Sequence, residues 1–385
     1  MKKFRFGLLP RVIVAIALGV ALGGVLPEWM VRVFLTFNGV FSQFLGFAIP
    51  LIIVGMVIPA IAEIGRGAGR MLAITVALAY GSTIVAGLAS YFTGALTFPS
   101  LIESQIQLDA AEAVKIAPFF TMDIPPVMSV MTALVLAFVV GLGLAYTQGD
   151  TLRRAASEFE KIITMTIEAV IIPLLPLYIF GIFLDMTAAG EVFRVLVVFV
   201  KIIGVIFLLH IVWLVFLYVV SGVVSKRNPF KMLSTMLPAY FTALGTQSSA
   251  ATIPVTLAQA RKMGVSEQVS GFVIPLCATI HMSGSMLKIV ACAMALMMMQ
   301  GMTFNFTLFL GFICLLGITM VAAAGVPGGA IMAALGVLAS VLGFSPEDQA
   351  LMISLYIAMD SFGTACNVTG DGALAAIVDK IKWNK

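Results

Sequence analysis

The sequence predicts an all-α polytopic membrane protein with eight transmembrane helices and two re-entrant helical hairpins, arranged as inverted repeats. Three observations predict it. First, 61% of the 385 residues are hydrophobic and 10% are charged, for a mean hydropathy of +1.12. No soluble domain can hide so much apolar surface, whereas apolar runs of about 20 residues cross a bilayer's hydrocarbon. Second, such runs recur from end to end. Third, two long apolar regions broken by small residues and a proline are each followed by an apolar segment that polar residues interrupt. The C-terminal half therefore holds two copies of one plan. Inverted repeats with broken helices that meet near the midplane mark secondary transporters. The net charge of +4 sits in short loops, where it orients a membrane protein and says nothing of nucleic acid.

In chain order, the spans read at about 8–27, 33–62, 72–97, 127–147, 160–185, 190–224, 268–299 and 347–380. "MKKFRFGLLPR" runs into the first without a small-residue cleavage site and reads as a cytoplasmic lead. Alternation from there places "EIGRGAGR", "TQGDTLRRAASEFEK", "SKRNPFK", "ARKMG" and "DKIKWNK" inside, so both termini are cytoplasmic. "LPEW", the 99–123 loop and "LDMTAAGE" fall outside. Lys and Arg favour the inner loops, as the positive-inside rule demands.

That alternation requires two further apolar regions, 231–264 and 305–346, not to cross. "GTQSSAATIPVT" interrupts the first and "AAAGVPGG" the second. Each reads as two half-helices with an irregular tip, tolerated at membrane depth only where protein or a water-filled cavity covers it. Cys277, Cys292, Cys314 and Cys366 lie in apolar segments at spacings that fit no metal or disulfide framework.

In "DSFGTACNVTGDG", Asp360, Thr364, Asn367 and Asp371 are spaced i, i+4, i+7, i+11 and share one helix face. Carboxylates inside a membrane are costly and face a partner or a cavity. Asp360 could bind an ammonium, and Asn367 and Asp371 offer hard oxygen ligands for an alkali cation. A buried network that joins helices is the plainer reading. In "TQSSAATIPVT", Pro254 suits a first helical turn, with Ser248, Ser249 and Thr252 as cap residues. A helix N-terminus there would suit a carboxylate, or be ordinary capping. "VPGGA" supplies Gly325, Pro327, Gly328 and Gly329, a tip flexible enough for a gate. "CATIHMSGS" carries Thr279, His281, Ser283 and Ser285; His281 is either a hydrogen-bonded structural residue or a protonation site. Lys288, one turn later, either pairs with a carboxylate such as Asp371 or snorkels.

These motifs together resemble the glutamate-transporter-homologue family, the dicarboxylate/amino acid:cation symporters. "SSAATIPVT" looks like that family's first hairpin tip, "FVIPLCATIHMSGS" like its broken helix, "GVPGG" like its second tip and "DSFGTACNVTGD" like its final helix. The resemblance covers essentially the whole chain. It implies a homotrimer and an elevator mechanism, with a scaffold at 1–70 and 120–188 and a mobile transport domain at 71–98 and 189–385. It also implies substrate contacts from Ser248, Ser249, Ser285, Val326, Gly328, Asp360, Gly363, Thr364 and Asn367. Asp360 would hold the substrate amino group, and Ser249 and Asn367 its carboxylate. Cation sites would draw on Tyr80, Thr83, Cys277, Thr279, His281, Asn367 and Asp371.

The departures narrow the substrate. Gly363 stands where acidic-substrate members carry arginine, and Gln247 where some carry another. A second substrate carboxylate would then sit unpaired in a low-dielectric pocket, which argues against glutamate or aspartate. His281 and Ser283 replace an asparagine and an aspartate, which weakens the cation site they share with Tyr80 and Thr83. The closest motifs are those of the serine/threonine branch. The expectation is therefore a cell (inner) membrane symporter of a small neutral α-amino acid with Na+, and no enzyme. Proton coupling through His281, or a different small organic solute, is the alternative. An intramembrane aspartyl protease would need a glycine where Val368 stands and leaves the hairpins unexplained. A channel fits the same hairpins and is separated by stoichiometric coupling of solute to ion.

Overall fold

A computed structural model of the chain describes residues 8–66, 70–102, 116–147, 150–190, 192–321 and 328–381. These residues form α1 (Leu8–Leu22), α2 (Glu28–Arg66), α3 (Arg70–Leu101), α4 (Val130–Tyr146), α5 (Thr151–Thr166) and α6 (Ile172–Ala188). There follow α7 (Val192–Ser225), α8 (Pro229–Thr246), α9 (Ser249–Lys262), α10 (Glu267–Ile280) and α11 (Ser283–Met299). The last four are α12 (Phe306–Met320), α13 (Gly329–Leu342), α14 (Pro346–Ala358) and α15 (Asp360–Val378).

Helix starts follow side-chain chemistry. Asn228 Oδ1 accepts from the N–H groups of Phe230 and Lys231, with Pro229 in the first turn of α8. Asn305 caps α12 through Leu308 N–H. Ser345 and Asp348 form a reciprocal capping box on α14, again with proline in the first turn. α5 and α6 are one rod joined by a π turn at Ile167–Ile171, where Ile172 N–H reaches back to Ile167 O.

Among the described residues, five helices are long and apolar enough to cross a membrane, and α14 with α15, bent by 63°, forms a sixth if counted as one span. α1 and α4 have 15 and 17 residues, roughly 23 and 26 Å at 1.5 Å per residue, against about 30 Å of hydrocarbon. Two of the eight spans read from sequence are therefore shorter than the hydrocarbon is thick. Each region read as a hairpin holds two short helices, α8–α9 and α12–α13.

α1, α2, α4, α5 and α6 pack mainly on one another, and α3 and α7–α15 form the rest. Small residues set the closest crossings. A Cβ on Gly19 would lie 2.8 Å from Phe183 Cβ, and one on Gly141 2.8 Å from Ile61 Cβ. α15 sits at the centre of the second group, against α7, α8, α9, α10 and α11. The outward faces of α4 and α7 are apolar (Val135, Val139 and Leu142; Val197, Leu208, Ile211 and Val223), the surface that lipid contact requires.

Candidate functional site

The polar face of α15 runs as an unbroken helix from Asp360, and the break lies one residue earlier, at Met359. The bend thus places Asp360 in the first turn of a helix, where free N–H groups and the dipole favour a carboxylate. In the other repeat the break falls on His281 and Met282, between α10 and α11. The α8–α9 tip turns on Gln247, at φ 53°, and Ser248. The second tip lies outside the described residues up to Gly328, whose φ of 78° suits a residue without a Cβ.

Two helix starts and the α8–α9 tip converge on α15. From α11, the N–H groups of Gly284 and Ser285 donate to Asn367 Oδ1 at 2.7 and 3.3 Å. At the start of α13, Gly328 N–H donates to Asp360 Oδ2 at 2.8 Å. From the α8–α9 tip, Gln247 Nε2 donates to Ser361 Oγ at 2.8 Å. Ser248 caps α9 through Ala251 N–H. Pro254 stands five residues after Ser249, inside α9, not at its start. Its missing N–H leaves Ala250 O without its helical donor.

One buried ion pair and one buried histidine–carboxylate contact occupy the face. Lys288 Nζ donates to Asp360 Oδ1 at 2.9 Å, with the two side chains 0% and 6% exposed. The ammonium also lies 3.4 Å from the centre of the Tyr356 ring. Lys288 thus pairs with Asp360; Asp371 is taken by His281, whose Nδ1 lies 2.9 Å from Asp371 Oδ1. The other ring nitrogen lies 3.1 Å from Ser82 Oγ. Both His281 nitrogens are engaged, so neither points a free lone pair at a cation here.

Glycines on α15 make room for these side chains. A Cβ on Gly363 would lie 2.7 Å from both Lys288 Cε and Nζ, and one on Gly370 2.7 Å from His281 Cε1. Gly363 therefore opens space that the lysine stem fills. Tyr356 Oη and Asn367 Nδ2 both meet Ser285 Oγ, at 3.0 and 3.1 Å, which links the lysine's ring to the asparagine.

The remaining expected ligands lie as follows. Thr364 is buried on the same helix face. Ser248 and Ser249 are half-buried at the first tip. Tyr80 Oη donates to Cys314 O at 2.9 Å. Thr83 accepts from Met282 N–H at 3.3 Å and donates to Ala79 O. Cys277 is buried, and its carbonyl accepts His281 N–H. Thr279 is exposed and bonded to Leu276 O. Val326 lies outside the described residues, as do Gly325 and Pro327. Among the described residues, no three His, Cys, Asp or Glu side chains gather into a metal cluster. An alkali cation here would rely on amide, hydroxyl and backbone oxygens.

Sequence reasoning missed Tyr356, Ser82 and His210, whose Nε2 lies 2.9 Å from Gly284 O. Ser82 had a signal, since it sits between Tyr80 and Thr83 in an apolar helix. His210 had none, because its partner is a backbone atom distant in sequence.

The model of the sodium:dicarboxylate symporter family matches residues 8–381. Excitatory amino acid transporter 4 of Mus musculus is 36% identical over 163 residues, 41% of this chain and 28% of the relative. Excitatory amino acid transporter 1 of Rattus norvegicus is 32% identical over 249 residues, 62% of this chain and 44% of the relative. An excitatory amino acid transporter of Caenorhabditis elegans is 28% identical over 252 residues, 63% of this chain and 50% of the relative. The matches thus span half or less of the length of these relatives.

Proposed function

Because the chain belongs to the sodium:dicarboxylate symporter family, a family of membrane transporters and not enzymes, we propose that it is a secondary symporter that moves a small solute with a single carboxylate across the cell membrane together with Na+. The observation that carries this reading is the convergence on α15 of two helix starts, those of α11 and α13, and of the α8–α9 tip. Helix N-termini favour an anionic group, and Ser249, Ser285 and Asn367 stand among them to bind a carboxylate. No arginine stands at 363 to pair with a second one, and Lys288, the cation at that place, is already neutralised by Asp360.

The relatives' names point to amino acids. A small neutral α-amino acid, serine-, threonine- or alanine-like, fits if its ammonium displaces Lys288 from Asp360. A different small organic acid fits with the pair intact, and the 2.9 Å ion pair favours it. Na+ would bind Asn367, Asp371 and backbone oxygens near Thr279 once His281 swings off Asp371. Alternatively the His281–Asp371 contact at 2.9 Å favours a proton as coupling ion. The proposal includes a homotrimer with cytoplasmic termini. Helices α1, α2, α4, α5 and α6 form a static scaffold, past which α3 and α7–α15 slide as an elevator.

The test is uptake into proteoliposomes of labelled serine, threonine, alanine, lactate and aspartate, under an inward Na+ gradient or a pH gradient alone. Na+-driven uptake of a monocarboxylate with aspartate ignored is expected. Uptake driven only by pH moves the coupling to His281, and concentrative uptake of aspartate refutes the argument from Gly363.

A further inference from the structure

The Lys288 ammonium is held as a bound ligand would be. It is fully buried, 2.9 Å from Asp360 Oδ1 and 3.4 Å from the centre of the Tyr356 ring. Carboxylate plus aromatic face is the usual chemistry for capturing an organic ammonium. Gly363 keeps the place open, since any Cβ there would lie 2.7 Å from Lys288 Cε and Nζ. The second oxygen of Asp360 is taken by Gly328 N–H. The guest of this ammonium site is therefore part of the chain.

We propose that Lys288 stands in for a solute ammonium, so that the substrate class of this site is small monocarboxylates without an amino group, 2-hydroxy acids among them. The inference rests on the symporter reading of the same site. A zwitterionic amino acid would have to expel Lys288 from Asp360. A tethered ammonium competes at high effective concentration, and the expelled lysine would remain buried without a counter-charge. A hydroxy acid asks for neither. Its carboxylate meets the α9 and α11 starts, Ser285 and Asn367, while the Lys288–Asp360 pair stays closed and neutral. A dicarboxylate would bring a second charge that, among the described residues, no free cation meets at this place.

The experiment compares near-isosteric pairs in proteoliposomes under ion gradients: lactate with alanine, and glycerate with serine, with succinate as the dicarboxylate. The wild type is expected to take up the hydroxy acids at least tenfold better than their amino partners. Lys288→Met keeps the stem and removes the charge; it is expected to move the ratio at least tenfold toward the amino acids. Lys288→Met/Asp360→Asn has no buried charge at the pair and serves as the variant expected to fold; it is expected to lose that shift. Wild-type preference for alanine and serine overturns the inference and leaves the symporter reading standing; preference for succinate overturns both the inference and the single-carboxylate part of that reading. Ion-driven uptake of none of the five compounds overturns the symporter reading and this inference with it. The wild-type ratio decides even if the single variant fails to fold.

Discussion

Replacing Asp360 by asparagine isolates the energetics of the buried pair. Asparagine keeps an oxygen for Gly328 N–H but leaves Lys288, 0% exposed, facing a neutral amide and the Tyr356 ring. Removing one partner of a buried ion pair costs about 3–5 kcal/mol, because the other charge stays buried and uncompensated. Lys288→Met strands the Asp360 carboxylate, with Gly328 N–H still donating to it, and is expected to cost a similar amount. The double variant strands nothing. Buried pairs exchanged for neutral side chains of similar volume are often near neutral in stability, so it is expected within about 2 kcal/mol of wild type. The cycle then shows a coupling of at least about 4 kcal/mol. Reversible unfolding in mixed micelles, followed through the buried Trp213, measures all four proteins. Costs that add to within about 0.5 kcal/mol would mean that the two groups do not form the pair.

The glycines supply a contrast within one helix pair. Gly284→Ala puts a Cβ 2.6 Å from Gly363 O and 2.7 Å from Cys366 Cβ, so the α11 and α15 backbones must part; a loss of about 1–3 kcal/mol is expected in the same unfolding assay. Gly271→Ala in α10 meets nothing within 4 Å and is expected to be neutral or to stabilise by up to about 1 kcal/mol. Ser345→Ala removes the capping-box oxygen that accepts Asp348 N–H at 3.2 Å. A cost of about 1 kcal/mol is expected, read as a lower midpoint with unchanged slope.

The fold's helical character and its broken elements were legible because a membrane leaves few options. Every backbone polar group must be satisfied, so apolar runs become helices, and "GTQSSAATIP" or "HMSGS" can interrupt them only where the protein covers the gap. Local chemistry also showed, as at Asn228–Pro229 and Ser345–Pro346, where caps begin helices. Positions set by longer-range balance were less legible. Pro254 reads as a helix start, yet α9 begins at Ser249, because the Ser248 cap and the Gln247 turn end α8 there. The polar stretch from Asp360 reads as one helix face, but its spacing does not show where the bend beside it falls, which is at Met359.

From the sequence alone it followed that the chain is an all-helical membrane protein whose polar groups lie on one face of α15 and beside the α10–α11 break. Composition and a 3.6-residue period suffice for that, since both are local. Which charges pair was decided by the tertiary structure alone. Asp360 and Asp371 are alike in sequence, each a carboxylate on one face. Lys288 reaches Asp360 because Gly363 leaves space beneath its stem, and His281 reaches Asp371 because Gly370 admits its ring. Those distances depend on how α11 crosses α15, a packing of side chains some 70 to 90 positions apart, and no spacing within either segment encodes it.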